Sequence, residues 1–299
     1  MHNARIMALT ASLALLVGCG AGGDTDTGSS STAFDAARAF RALEAQVRLG
    51  PRPAGSPAAR REVAFISRRL RAAGITHVVV QRPHRNVVAR IPGAQPGTVI
   101  VGAHYDTKRI PGFVGANDGA SGVAVLLELA RDLPARLSGP SIELVFFDAE
   151  ESPPGEPFVR SGDRGSEQFV RYARRGGAQG SPPLRRIRAM VLFDMVGDCD
   201  LSVPREANSD PTLYARFARA ASAAGTSAPF QGESAGVIDD HAPFIRAGIP
   251  AVDLIDFDYG PGPPPGAWWH TRQDDLRHVC ARSLGAVGRP ALAALPGIR

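Results

Sequence analysis

Residues 142–151 read IELVFFDAEE. An almost unbroken apolar run, IELVFF, passes straight into Asp148, Glu150 and Glu151. A strand exposed on one face alternates apolar and polar residues, so a run this continuous predicts a strand covered on both faces. The same pattern recurs in AMVLFDM (189–195) and PAVDLI (250–255). Shorter β-branched runs lie upstream, in HVVV (77–80), NVVARI (86–91) and TVIVGA (98–103). Between and before them the period changes to that of helices. Ala36, Phe40, Leu43 and Val47 share a helical face, and Gly50-Pro51 ends that segment. Ser56 and Pro57 are placed as N-cap and first residue of a second helix, which carries Val63, Ile66 and Leu70 and stops at Gly74. Further helices are predicted from Gly122 to Leu133 and from Pro211 to Ala224, and surface loops over 152–165, 175–183 and 260–266. Helices alternating with buried strands predict one α/β domain with a mixed sheet, over residues 34–299.

The composition fits that reading. Of 299 residues, 44% are hydrophobic and 21% charged, which excludes a disordered chain and a polytopic membrane protein. The formal charge of +5 comes from 34 basic and 29 acidic residues, and Lys108 is the only lysine. The arginines are scattered and form no basic run interleaved with aromatics, so nucleic acid is not an expected partner. Three cysteines are too few for a disulfide framework. Cys199 and Cys280 stand 81 positions apart and could pair in an oxidising compartment, although spacing alone does not show it.

The N-terminus reads MHNARIMALTASLALLVGC. Arg5 is the charged leader, and the apolar run from Ile6 to Val17 is too short to span a bilayer. Leu16-Val17-Gly18-Cys19 resembles a bacterial lipobox, which predicts a signal peptide over 1–18 and lipidation of Cys19. Residues 20–33 are rich in Gly, Ser, Thr and Asp, so 19–33 are expected to be a flexible tether. The expected location is the cell envelope, with membrane contact through the lipid only.

In open α/β sheets ligands lie beyond the carboxyl ends of the strands. Those ends carry His104, Tyr105 and Asp106 after VIVGA, then Asp148, Glu150 and Glu151, then Asp194 and Asp198. Trp268, Trp269 and His270 follow the 250–255 strand, and Asp118 sits in GANDGASG before a helix. Each residue alone has an ordinary structural reading as a cap, a turn or surface charge. Together the acids would repel one another at one edge of a sheet unless a cation joined them. Carboxylates with two imidazoles and no thiolate suit zinc or a similar divalent ion. There are more possible ligands than one tetrahedral zinc needs, which suggests two metals sharing a carboxylate.

In order along the chain, HYDT, GANDGASG, FFDAEE, FDMVGD, DDHAPF and WWHT resemble the family-28 zinc metallopeptidases, which include secreted bacterial aminopeptidases and glutaminyl cyclases. GPRPAGSP (50–57) is similar to the N-terminal segment of that family. The resemblance implies a three-layer α/β sandwich with a mixed, mostly parallel central sheet flanked by helices. By position it implies His104, Asp118, Glu151, Asp194 and His270 as ligands of one or two zinc ions, with Asp118 bridging. It implies Glu150 as general base, Asp106 as the acid behind the metal histidines, and a cis bond with strain at Asp118-Gly119.

Two reactions on peptide N-termini are compatible with this resemblance. One is cyclisation of N-terminal glutamine to pyroglutamate, which the pattern His104-Tyr105-Asp106-Thr107-Lys108, Trp269 as a pocket wall, and the long Gly/Pro-rich stretch after Glu151 favour. Asp239-Asp240-His241 adds carboxylates that could share a proton with Glu150; a capped turn is the plain structural alternative there. The other reaction is hydrolysis of the first peptide bond. GANDGASG is closer to the aminopeptidase form, and SPPGEPFVRSGD lacks a tryptophan that the cyclases carry. A third reading is a non-catalytic binding module on the same fold.

Overall fold

The computed structural model describes residues 34–299. The expected signal peptide, the expected tether and Cys19 lie outside the described residues. Six strands make the central sheet: β1 (Val78–Val80), β2 (Val87–Ile91), β3 (Thr98–His104), β4 (Ser141–Phe147), β5 (Ile187–Asp194) and β8 (Ala251–Ile255). Their spatial order is β1-β2-β4-β3-β5-β8. β1–β2 and β2–β4 pair antiparallel, while β4–β3, β3–β5 and β5–β8 pair parallel. Two-residue strands β6 (Arg205–Glu206) and β7 (Glu233–Ser234) form a separate ribbon.

Alternate side chains of each strand enter opposite cores, as the pleat requires. Val99, Val101, Leu144, Phe146, Val191, Phe193, Val252 and Leu254 face one side. There α1 (Ala36–Val47), α2 (Pro57–Ala72), α3 (Ser121–Asp132), α6 (Pro211–Ala223) and α8 (Ala281–Ala294) cover them. Ile100, Val145, Phe147, Met190 and Leu192 face the other side, under α5 (Arg164–Arg174) and α7 (Ala242–Ile245), which contribute Phe169, Val170 and Phe244. The fold is therefore the expected three-layer α/β sandwich with a mixed, mostly parallel sheet. Among the described residues no helix is long and apolar enough to cross a membrane.

Ser56 caps α2 as expected, its side chain accepting from the Ala59 N–H at 3.0 Å. Two parts of the loop expectation change: α4 (Phe158–Ser161) forms within 152–165, and Arg164 already starts α5. The sequence expectation lacked α5, α7 and α8. α8 holds Gly285, Gly288 and Pro290, residues that weaken a helical signal in a chain read alone.

Arg52, from the GPRPAGSP segment, is fully buried. Its guanidinium donates to the carbonyls of Tyr105, Val114 and Gly115, so it braces the loop leading to Asp118. Glu62 on α2 is buried within its electrostatic reach, and neither carboxyl oxygen has a hydrogen-bond partner. Burial pushes Glu62 up to about 7, with Arg52 pulling in the opposite direction. An acid raised on folding binds more protons folded than unfolded between its two pKa values. Stability therefore falls as pH rises from about 4.5 to 7, by about 3 kcal/mol at most. Glu62→Gln removes the ionisation. The variant's Tm should gain on wild type as pH is raised from 5 to 8, by differential scanning calorimetry; an equal offset at both pH values would refute this.

Candidate metal centre and active site

The sheet register brings the ligand-type residues level. His104, the last residue of β3, stands opposite Phe147, the last of β4, so Glu150 and Glu151 follow just beyond it. Asp194 ends β5 opposite Ile255, the last residue of β8. Asp118 lies just before α3, whose approach to β5 depends on Gly122: a Cβ there would meet the Phe193 carbonyl oxygen at 2.0 Å. His270 comes from the long loop after β8.

Asp118 lies between the two histidines. His104 Nε2 is 3.2 Å from Asp118 Oδ1 and 3.1 Å from Asp194 Oδ1. His270 Nε2 is 3.3 Å from Asp118 Oδ2 and 3.0 Å from Glu151 Oε1. Thus His104, Asp118 and Asp194 form one triad and Asp118, Glu151 and His270 another, each with its ligand atoms within 4.8 Å of one another. Two imidazoles and three carboxylates, with one carboxylate offering a separate oxygen to each triad, fit a divalent cation at either position or at both. The electrostatics agree. Burial opposes charge on the His270 ring, yet Asp118 and Glu151 hold it up at about 9. Burial likewise opposes charge on His104, and Asp194, Asp106 and Asp118 raise it well above the usual imidazole range. The carboxylates thus call for positive charge at the two places where a cation would supply it.

Backbone geometry at the ligands is unusual. Ala149, Met195 and His270 adopt φ of 60°, 47° and 53°, the left-handed region that non-glycine residues seldom occupy. Each is one of the ligand-type residues or lies within two residues of one, which fits the clustering of such conformations at functional sites. Asp118-Gly119 departs from expectation, because the cis bonds among the described residues are Arg82-Pro83 and Pro264-Pro265. Gly119 takes the turn instead at φ 96°, which glycine adopts without strain.

Asp106 stands behind His104, its Oδ1 3.8 Å from His104 Nδ1, and accepts the Glu150 N–H at 3.1 Å. That hydrogen bond holds the turn that carries Glu150. Three further residues, beyond those expected from the sequence, brace the two triads. The buried Asp274 carboxylate accepts the N–H groups of Asn117 at 2.7 Å and Asp118 at 3.1 Å, and the Tyr259 hydroxyl at 3.1 Å. Asn117 Oδ1 accepts the Gly197 N–H at 2.7 Å, tying the Asp118 turn to the loop after Asp194. Lys108 donates to Glu151 Oε2 and Ser152 Oγ, both at 2.9 Å. The DD pair at 274–275 looks like surface charge in the sequence; only its four-residue distance from His270 hinted at more.

The two triads open into a cavity of about 850 Å³. Glu150 lines it beside the ligands, and an oxygen of Glu150 lies within 4.8 Å of oxygens of Asp239 and Asp163. Burial raises Glu150 well above the usual carboxylate range, His104 opposing and Glu151, Asp239 and Asp163 adding to it. Asp239 is raised in the same way by burial, Asp253 and Asp194. Asp240, expected alongside Asp239, does not line the cavity; it is fully buried near Asp163 and Ser166. Trp269 lines the cavity and stacks on His270, ring centroids 3.8 Å apart. Trp268 packs on Tyr259 and His278, a structural role. Cys199 and Cys280 are joined in a disulfide that links the loop after β5 to the start of α8.

Comparison with known proteins agrees with this arrangement. The profile of Peptidase family M28 matches residues 86–295. Glutaminyl-peptide cyclotransferase of Drosophila melanogaster is 30% identical over 218 residues, covering 64% of this chain and 58% of the fly protein. The chain thus spans less than two thirds of that relative. Among solved structures, the glutaminyl cyclase of an Acidobacteriales bacterium has a TM-score of 0.76 at 32% identity, covering 88% of this chain and 94% of that one. A leucine aminopeptidase precursor from Bacteroides thetaiotaomicron also has a TM-score of 0.76, at 26% identity, over 89% of this chain and 98% of that one. With its two joined triads and a matched region covering most of its length, the chain belongs to peptidase family M28.

Proposed function

We propose that this protein is a zinc-dependent enzyme of peptide N-termini that converts N-terminal glutamine to pyroglutamate and releases ammonia. The observation that carries this reading is Asp239 beside Glu150, a second buried carboxyl group on the proposed base. Two carboxyl groups this close share protons more readily than they ionise together. Such a pair can accept a proton from one nitrogen and return it to another, as cyclisation requires. The substrate α-amine attacks the side-chain amide carbon, a C–N bond closes the ring, and the original amide C–N bond breaks. Glu150 takes the proton from the attacking amine and delivers it to the departing nitrogen, which leaves as ammonia. Asp118, Glu151 and His270, or Asp118 with His104 and Asp194, would hold zinc, whose charge polarises the amide carbonyl when bound. Trp269 restricts the substrate from the side of His270. The lipobox-like Leu16–Cys19 supports an envelope location with lipid attachment at Cys19.

The completeness of both triads favours a second reading, hydrolysis of the first peptide bond with Glu150 acting on water. One assay separates the two. Purified protein incubated with a Gln-initiated and a Leu-initiated peptide should convert the first to a product lighter by one ammonia and leave the second intact, by mass spectrometry. Free leucine without pyroglutamate would replace cyclisation with aminopeptidase activity.

A further inference from the structure

We propose that the outer face of α2 docks on an anionic lipid surface and turns that side of the domain toward the membrane. This goes beyond the reaction above and takes from that reading only the lipid attachment at Cys19. Arginines that are scattered along the sequence are gathered by this helix. It buries Ala59, Glu62, Val63, Ile66 and Leu70, which leaves Arg60, Arg61, Arg68, Arg69 and Arg71 exposed. With 3.6 residues per turn, Arg60, Arg61, Arg68 and Arg71 share one face, and the small side chains of Ala64 and Ala72 lie among them. Arg69 sits at the flank, its guanidinium 5.4 Å from the centroid of the Phe65 ring.

The charge on this face is uncompensated. Glu62 is the only acid of the helix, and it is buried on the opposite face. Among the described residues the arginines in salt bridges are Arg38, Arg90, Arg205, Arg246 and Arg277, none of them on α2. Like charges three residues apart, as at Arg68 and Arg71, repel along a helix, and an anionic partner relieves that repulsion. From Arg60 to Arg71 the charges extend over about 16 Å of helix axis. A partner matching them is an extended surface of negative groups rather than one small anion.

The chain's own attachment makes lipid headgroups that surface. The expected tether over 19–33 runs to Phe34, whose ring packs on Gly288 of α8, on the side of the sheet that α2 also covers. Fifteen residues span about 50 Å at most, so a lipid on Cys19 keeps the domain within that reach of the bilayer. A lipid anchor and a basic patch together hold a protein to a membrane better than either alone. The opposite layer also carries exposed arginines, at Arg171, Arg174 and Arg175, but the tether does not join the domain there.

The test uses the full chain carrying Cys19→Ala, so that α2 is read without the anchor. Sedimentation with phosphatidylcholine vesicles gives the baseline, including any contribution of the apolar run from Ile6 to Val17. Adding phosphatidylglycerol should raise the fraction bound, and high salt should return it to the baseline. Arg61→Gln, Arg68→Gln and Arg71→Gln combined should lower partitioning onto the mixed vesicles roughly a hundredfold, at about fivefold for each arginine near an anionic surface. Glutamine and arginine have similar helix propensity, so this variant should fold, which circular dichroism checks. Arg171→Gln, Arg174→Gln and Arg175→Gln combined make the same charge change on the opposite layer. They should alter binding by about twofold at most, because exposed charges beyond a Debye length are screened. Equal binding to both vesicle compositions, or equal losses in the two triple variants, overturns the proposal. Binding to heparin or double-stranded DNA that anionic vesicles fail to displace also overturns it and assigns the face to a soluble polyanion. Lipidation is judged separately, by the mass of the Cys19 peptide from the unsubstituted protein. An unmodified Cys19 overturns the anchor and leaves the vesicle result to decide α2.

Discussion

Glu150→Gln should retain its metal and lose between about a hundredfold and ten-thousandfold of its turnover, the range for removing a general acid–base group. The substitution keeps the shape of the side chain and removes the site that accepts the proton. Glu150 touches neither triad as a ligand, and its backbone N–H, held by Asp106, is unchanged. The loss should therefore fall on kcat, with KM little changed. Glu151→Gln, one residue away, should weaken metal binding instead, because its carboxylate belongs to the triad with Asp118 and His270. Metal content by plasma mass spectrometry and steady-state kinetics on both variants make the comparison. If Glu150→Gln turns over at the wild-type rate, the base is misassigned.

Asp118→Asn should have the larger effect on metal. Each carboxylate oxygen of Asp118 serves a different histidine, 3.2 Å from His104 and 3.3 Å from His270. An amide offers one oxygen and presents an N–H₂ group to the other triad, where a cation would be repelled. Supporting residues around metal ligands usually cost about 10- to 100-fold in affinity when lost, so a shared ligand should cost more than that. Asp194→Asn, by contrast, damages one triad only. Chelator-competition titration should show Asp118→Asn losing high-affinity binding at both positions and Asp194→Asn at one. Equal, small losses in both variants would mean that Asp118 does not bridge. Near-UV circular dichroism guards against unfolding, since the Asp118 backbone remains held by Asp274.

The outline of the fold was legible because the central strands are so apolar. IELVFF, AMVLFD and AVDLI stand out without any knowledge of their partners, and each runs into the acids that face the cavity. The five ligand-type residues were legible for the same reason, since strand ends are recognisable and the ordered motifs carry the family resemblance. Residues that act through distant partners were not. Asp274 reaches Asn117 across more than 150 positions, and nothing near it in sequence shows that its carboxylate is buried. Asp163 begins as part of a Gly/Pro-rich loop and becomes a neighbour of Glu150 only because its left-handed backbone starts α5 there. Asp239 and Asp240 look equivalent as a pair; only the turn before α7 assigns the first to the cavity and the second to the interior. The cis bond expected at Asp118-Gly119 came from family resemblance, and the structure has a trans bond there.

The ligand-type residues enter the chain at 104, 118, 151, 194 and 270, so no stretch shorter than 104–270 contains both triads. Both triads exist only when β3, β4, β5 and the loop after β8 have all docked, and a chain that has lost its tertiary structure has no comparable affinity for the ion. By thermodynamic linkage, occupancy and folding then become one equilibrium. Free ion at a hundred times its dissociation constant adds about 2.7 kcal/mol to stability, and starvation for the ion removes it. Ion supply would thus set how long each molecule survives proteolysis, in addition to how fast it works.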